Sequence, residues 1–283
     1  MKSFLFFLSF IISILSFAQE NEIYGNGVFN FEQKTNQRIF TEDTRVRENP
    51  TSSSPILDSL KANTTITILQ KDKNVTVLGQ RFSHWYKIKY TKEGKQSEGY
   101  IWGGNIAMQY LSKNGFDFLF GLLPSRKEYS VEDQMDVLKN VASIKSYKNN
   151  EQIDEAIFES GMGESLSYST FKEDSNQNLK NVDFILTAIV SGEACGVPSY
   201  EKQVLFSNSK LIQLPTLMNI GDADIFYHSE TLIFPKDEGG KPNTIYFSME
   251  EMEKDENEKE KFKRKNEEYH WDGKNLSQMI YLQ

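Results

Sequence analysis

Trp85-Tyr86-Lys87-Ile88-Lys89-Tyr90 is the stretch that decides the class of this chain. Side chains of different character alternate along it with the two-residue period of a half-buried strand. Tyr100-Ile101-Trp102 downstream and Val75-Thr76-Val77-Leu78 upstream repeat the pattern. Further back lie Arg45-Val46-Arg47 and Ile66-Thr67-Ile68-Leu69, which are also rich in branched residues. Turn chemistry separates these runs: Asn49-Pro50, Ser52-Ser53-Ser54-Pro55, Asp72-Lys73-Asn74 and Glu93-Gly94. Short strands at this spacing predict a small antiparallel barrel or sandwich over residues 38–108. Residues 19–37 are polar, carry Gly25 and Gly27, and read as a lead-in arm or loose strand.

The β texture continues from 109 to 283. Phe184-Ile185-Leu186-Thr187-Ala188-Ile189-Val190 reads as a buried strand. Gln203–Phe206 and Lys210–Leu214 flank Ser207-Asn208-Ser209, a hairpin signal. Asp224–Tyr227, Thr231–Phe234 and Thr244–Phe247 are further strands. The stretch Phe206-Ser207-Asn208-Ser209-Lys210-Leu211 is echoed in kind by Trp271-Asp272-Gly273-Lys274-Asn275-Leu276. Each is an aromatic, a turn and a closing leucine. Two copies fall short of a repeat architecture, so the expectation is coincident hairpin chemistry in a sandwich-like or propeller-like domain. Residues 250–268 are dominated by charges of mixed sign. They fit a solvated helix with i,i+4 pairs among Glu256, Glu260, Lys259 and Lys263, a loop, or two long exposed strands.

The N-terminus reads as an address. Lys2 precedes a Phe/Leu/Ile run from Phe4 to Leu15, and Ser16-Phe17-Ala18 puts small residues before Gln19. That is the layout of a secretory signal peptide over 1–18, cleaved between Ala18 and Gln19. The apolar run is short of the roughly 20 residues a spanning helix needs. No later segment is apolar enough to span, so the mature chain is expected to be exported to the periplasm, the envelope or the exterior. The whole chain has 283 residues, room for one or two domains. Its 13% aromatic content excludes wholesale disorder, and a single cysteine excludes an intramolecular disulfide. Only three histidines argue against a His-rich metal protein. A formal net charge of −8 argues against a general nucleic-acid binder. The charge is split: residues 38–108 hold 11 basic and 7 acidic side chains, whereas 109–283 hold 19 basic and 30 acidic. A basic barrel suits an anionic partner, or docks on its own acidic neighbour.

Residues 40–107 resemble a bacterial SH3 (SH3b) domain. Val46-Arg47 stands before Pro50 and Ser52-Ser53-Ser54, and Ile56-Leu57, Leu60 and Thr65–Leu69 follow. Trp85-Tyr86-Lys87-Ile88 and Gly99-Tyr100-Ile101 close the pattern. Three positions depart from it: Arg45 replaces the usual Asn, Asp58 a Gly, and Asn63 the turn Gly. Asn63 can itself take the left-handed conformation. The resemblance implies an SH3-like barrel and a ligand drawn from cell-wall peptides or envelope proteins. The segment 192–196 and residues 222–235 also resemble C-terminal regions, of no assigned activity, that accompany exported SH3b domains. The fold class is therefore mainly β: an SH3-like barrel followed by a larger antiparallel domain.

A groove for a peptide or glycopeptide needs flat rings and a few polar groups. The candidates are Trp85, Tyr86, Tyr90, Tyr100 and Trp102, with Arg47 to meet a carboxylate. Alternation starting from a core-facing Trp85 turns Tyr86, Tyr90 and Trp102 outward, towards a ligand or the second domain. A wall hydrolase is the rival reading, because such enzymes often carry SH3b modules. Its weak candidates are Cys195 and His228, since a Cys–His hydrolase needs a thiolate and a base. Gly196 and Pro198 after the cysteine do not suit the helix start that lowers a thiol pKa. Asp222 and Asp224 form an acidic turn, a weak candidate for calcium. No His pair, Cys pair or phosphate loop is present, and no cofactor is expected. The balance favours a non-enzymatic binding or scaffold protein. A third reading makes the barrel purely structural, packed on the acidic domain. Oligomeric state has no signature.

Overall fold

The computed structural model describes residues 29–131, 134–162, 168–191, 196–222 and 225–279. The expected leader and its cleavage point at Ala18 and Gln19 lie outside the described residues. Apart from one turn of 3₁₀ helix, every regular element among those described is a strand, and all pairings are antiparallel.

Six strands make the first sheet: β1 (Asn36–Arg38), β2 (Thr44–Arg47), β3 (Ile56–Leu60), β4 (Thr65–Leu78), β5 (Arg81–Lys92) and β6 (Lys95–Trp102). They run in the order β1-β4-β5-β6-β2-β3. An isolated bridge between Ile39 and Ile106 ties the lead-in strand to the chain that follows Gly103–Asn105. Val46, Leu60, Ile66, Ile68, Ile88 and Ile101 are buried in its core. Asn63 has φ 64°, the left-handed turn conformation open to it as to the glycine it replaces. The β4–β5 pairing carries register shifts between Ile68 and Gln70 and between Lys71 and Val75. Such irregularities bend a long hairpin.

The second sheet holds β7 (Gln109–Lys113), β8 (Phe116–Leu122), β9 (Arg126–Ser130), β10 (Met135–Lys148) and β11 (Glu151–Met162). Its order is β11-β10-β8-β7, with β9 paired to β10. The third is an eight-stranded meander: β12 (Tyr168–Asp174), β13 (Phe184–Ser191), β14 (Ser199–Ser207), β15 (Lys210–Asp222), β16 (Phe226–Ile233), β17 (Thr244–Lys254), β18 (Glu260–Trp271) and β19 (Leu276–Met279).

Alternation explains how the layers stack. Phe118, Phe120, Ile144 and Phe158 on one face of the second sheet pack against Phe184, Leu186, Val204 and Phe206 of the third. The rings of Phe118 and Phe206 meet edge-on at 4.9 Å, the geometry that ring quadrupoles favour. The other face of β13–β14, with Ile185 and Leu205, packs on Leu232, Ile245, Phe247 and Trp271 from the far half of the same meander. A strand buried on both faces needs a continuous apolar run, which is why residues 184–190 lack polar alternation.

The outward face of the second sheet receives the first. Phe40 is fully buried among Ala62, Ala107, Leu119 and Tyr147. Gly121 makes room for it: a Cβ there would lie 2.8 Å from the Phe40 ring. Lys145 donates to the Phe40 carbonyl at 3.2 Å, and its ammonium lies 4.4 Å from the centre of the Phe40 ring. Arg81 reaches across to the Leu122 carbonyl at 2.6 Å. The +4 block therefore does dock on the −11 block, largely through apolar contact.

Both echo segments are hairpins. Asn208 and Ser209 take φ 52° and 63° between Ser207 and Lys210, the pair of left-handed residues of a type I′ turn. Trp271 pairs with Leu276 around the second turn. The charged segment forms parts of β17 and β18, the two-strand alternative, and not a helix. Glu250, Glu251 and Glu253 stand opposite Arg264, Lys263 and Lys261. Cross-strand complementarity thus replaces the i,i+4 pairs a helix would have used.

Candidate functional site

The aromatic candidates do not form an exposed groove. Tyr86, Ile88 and Tyr90 face the barrel core, and Tyr86 accepts the Phe31 N–H at 3.2 Å. Trp85, Lys87 and Lys89 occupy the opposite face, so the expected parity is reversed. The lysines are the clue: Lys87 and Lys89 share the parity of Trp85, and charged side chains seek water. Trp85 is nonetheless buried, because its register partner is Trp102 and the bent β4 covers both. Thr76 accepts hydrogen bonds from the two indoles, through its hydroxyl at 2.9 Å and its carbonyl at 3.0 Å. Arg81 closes the far side, its guanidinium 5.0 Å from the Trp102 ring and its pKa pushed down to about 10 by burial. Tyr100 and Arg47 are half-buried register partners, and Arg47 donates to the Ser54 carbonyl.

Two depressions on this barrel share Tyr90. The first, about 520 Å³, is lined by Arg38, Thr65, Thr67, Lys89, Gln96 and Asn150, with Asn63 and Tyr90 behind. The second, about 680 Å³, has Leu57, Asp58, Lys92, Lys95 and Ser97. Tyr90 lines both and donates to Asp58 at 3.1 Å. Burial, helped by that carboxylate, pushes the Tyr90 hydroxyl up to about 12. The Lys92 ammonium holds Asp58 below the usual carboxylate range.

The first depression is built by two sheets. Asn63, 1% exposed, donates to Asp117 at 2.9 Å and to Asn150 at 3.1 Å. Among the described residues its own side-chain oxygen has no partner. Arg38 donates to the Asn63 carbonyl at 3.0 Å and faces Asp117 at 3.7 Å. Burial raises the Asp117 pKa, but hydrogen bonds from Ser112 and Asn63 and the Arg38 charge leave the net below normal. Lys87 pairs with Glu98 at 2.9 Å, whereas Lys89 ion-pairs with no described residue. The result is a polar hollow with several hydroxyls and two cations, Arg38 held by Asn63 and Asp117 and Lys89 without an ion pair among the described residues, suited to a carboxylate-bearing polar chain. Thr65 and Thr67 alternate with core-facing Ile66 and Ile68, the signal that places them outward on β4. Arg38 and Asn150 carried no local signal, since only the packing of the second sheet brings Asn150 here.

Cys195 and Asp224 lie outside the described residues. Asp222 is exposed at the end of β15, opposite Phe226. No group of three or more metal-ligating side chains occurs among the described residues. His228 sits on β16 between two carboxylates: Nδ1 is 3.1 Å from Glu251 and Nε2 is 3.1 Å from Glu230. Two acceptors call for two N–H groups, hence the imidazolium. Lys263 backs Glu251 at 3.9 Å. Burial lowers the His228 pKa, but Glu251 and Glu230 outweigh it and the net shift is upward. A raised folded pKa means the pair stabilises fully below the unfolded value of roughly 6.5 and loses that contribution as pH climbs through the folded value. Urea midpoints of wild type and His228→Gln should therefore differ most below about pH 6.5 and draw together as pH rises past it; a gap that widens with pH would contradict this.

A family model described as a bacterial SH3 domain matches residues 42–107. No curated protein and no solved structure matches the chain. The match spans β2 to β6 and the 3₁₀ turn that follows, and the protein is an SH3b-containing chain, all-β over its described residues. Among the described residues no helix is long and apolar enough to cross a membrane.

Proposed function

We propose that the chain is an exported, non-enzymatic binding protein of the periplasm or cell envelope, whose SH3b domain holds a cell-wall peptide or an envelope protein partner. One observation carries the site assignment: the Arg38–Lys89 depression, polar, cationic and walled by a buried asparagine. Peptide carboxylates meet Arg38 and Lys89 there, and the threonine hydroxyls serve amide groups. The aromatic residues first considered act in this reading as framework that fixes the face.

Retention on purified peptidoglycan tests it. Lys89→Glu removes a half-exposed cation that has no ion pair among the described residues and places a carboxylate at the hollow. Retention is expected to fall about tenfold, one strong charged contact's worth of about 1.4 kcal/mol, with the melting temperature unchanged. Undiminished retention by the variant would contradict the site. The buried Phe40 contact favours a second reading, in which the SH3b domain is an architectural piece of the larger β block. That reading expects no retention by either form. Soluble fragments released from the same sample, and lost on Cys195→Ser, would instead support a hydrolase.

A further inference from the structure

The two echoing hairpins, far apart in sequence, are side by side in the fold. Between them is a hollow of about 420 Å³ lined by residues of both. Its walls are pinned to one loop. Ser207 donates to the Asn181 carbonyl at 2.7 Å, and Asn181 in turn donates to the Gly273 carbonyl at 3.1 Å. Trp271 donates to the neighbouring Lys180 carbonyl at 2.7 Å. Three hydrogen bonds thus fix the spacing of the hairpins before any ligand arrives, and a preorganised site does not lose that entropy on binding.

The lining has one sign of charge. Lys210 projects from one hairpin and Lys274 from the other, and no Asp or Glu lines the space. The surrounding block holds 30 acidic residues, and Lys113, Lys139, Lys172 and Lys265 are ion-paired within it. Neither Lys210 nor Lys274 forms an ion pair among the described residues. The nearest carboxylate in sequence, Asp272, is spent on its own turn. It accepts the N–H groups of Lys274 and Asn275, both at 2.7 Å. Between the cations lie the amides of Asn208, Gln213 and Asn275, with half-buried Ile212 and Leu276 beneath.

Two cations for an acidic group, neutral amides for hydroxyls and an aliphatic floor for the C–H face of a ring describe one ligand class. We infer that this hollow binds an acidic saccharide, a sugar bearing a carboxylate or a phosphate. The site is separate from the SH3b depression and does not depend on it.

Titration of the full chain by amide NMR tests this, with glucuronate, glucose 6-phosphate, glucose and acetate as probes. Glucuronate or glucose 6-phosphate is expected to shift the amides of Lys210, Gln213, Asn275 and Leu276, saturating at least tenfold below glucose or acetate. The stronger of the two identifies the acidic group. A Lys210→Gln/Lys274→Gln variant should keep the wild-type spectrum elsewhere and bind at least tenfold more weakly. Acetate binding as well as glucuronate would reduce the site to bare charge and overturn the inference. So would shifts confined to other regions, or unchanged affinity in the folded double variant.

Discussion

Trp271→Ala is expected to lower the unfolding free energy by about 3–5 kcal/mol, the range for deleting a large buried aromatic. Trp271 is fully buried and has one of the largest enclosed side chains in the protein. It closes the core between the two halves of the meander, where Leu205, Leu214 and Ile245 also lie. Its indole N–H satisfies the Lys180 carbonyl, so truncation leaves both a cavity and an unpaired acceptor. Trp271→Phe should lose only part of this, because the ring volume is largely kept. Urea denaturation of the three forms decides it, and a loss below about 1 kcal/mol for the alanine variant would mean that this core does not hold the meander together.

Phe40→Ala should cost a similar 3–5 kcal/mol, but with a different signature. Phe40 is the apolar centre of the contact between the SH3b sheet and the second sheet, seated over Gly121 and under the Lys145 ammonium. Lys145 is buried, and burial pushes its pKa down despite Glu155 at 3.9 Å. Removing the ring opens that site to water and loosens the joint. Wild type should unfold in one transition, whereas Phe40→Ala should separate into two, the SH3b sheet leaving first. A single transition at the wild-type midpoint would show that the joint contributes nothing to cooperativity.

How much of this was legible depended on the range of the interactions involved. The barrel strands were readable because their determinants are local: alternation, turn residues and an asparagine able to adopt positive φ. The run from Phe184 to Val190 was readable because burial on two faces leaves no polar position. The parity of β5 is ambiguous in sequence because aromatic residues occupy both of its faces, and only Lys87 and Lys89 distinguish them. Covering Trp85 and Trp102 required the bend in β4, which comes from register shifts with no motif of their own. The charged segment left helix and strand open, since charge sign pairs equally well at i,i+4 and across a hairpin. Asn150 joined the candidate site through the docking of one sheet on another. No reading of the residues around it contains that contact.

The proposed function stands on ligand entering the Arg38–Lys89 depression. Amide chemical-shift mapping of the full chain with a soluble muropeptide tests it most directly. The largest shifts are expected at Thr65, Thr67, Lys89, Gln96 and Asn150, with strands β16 and β17 unmoved. Shifts confined to other surfaces, or none at saturating muropeptide, would contradict it.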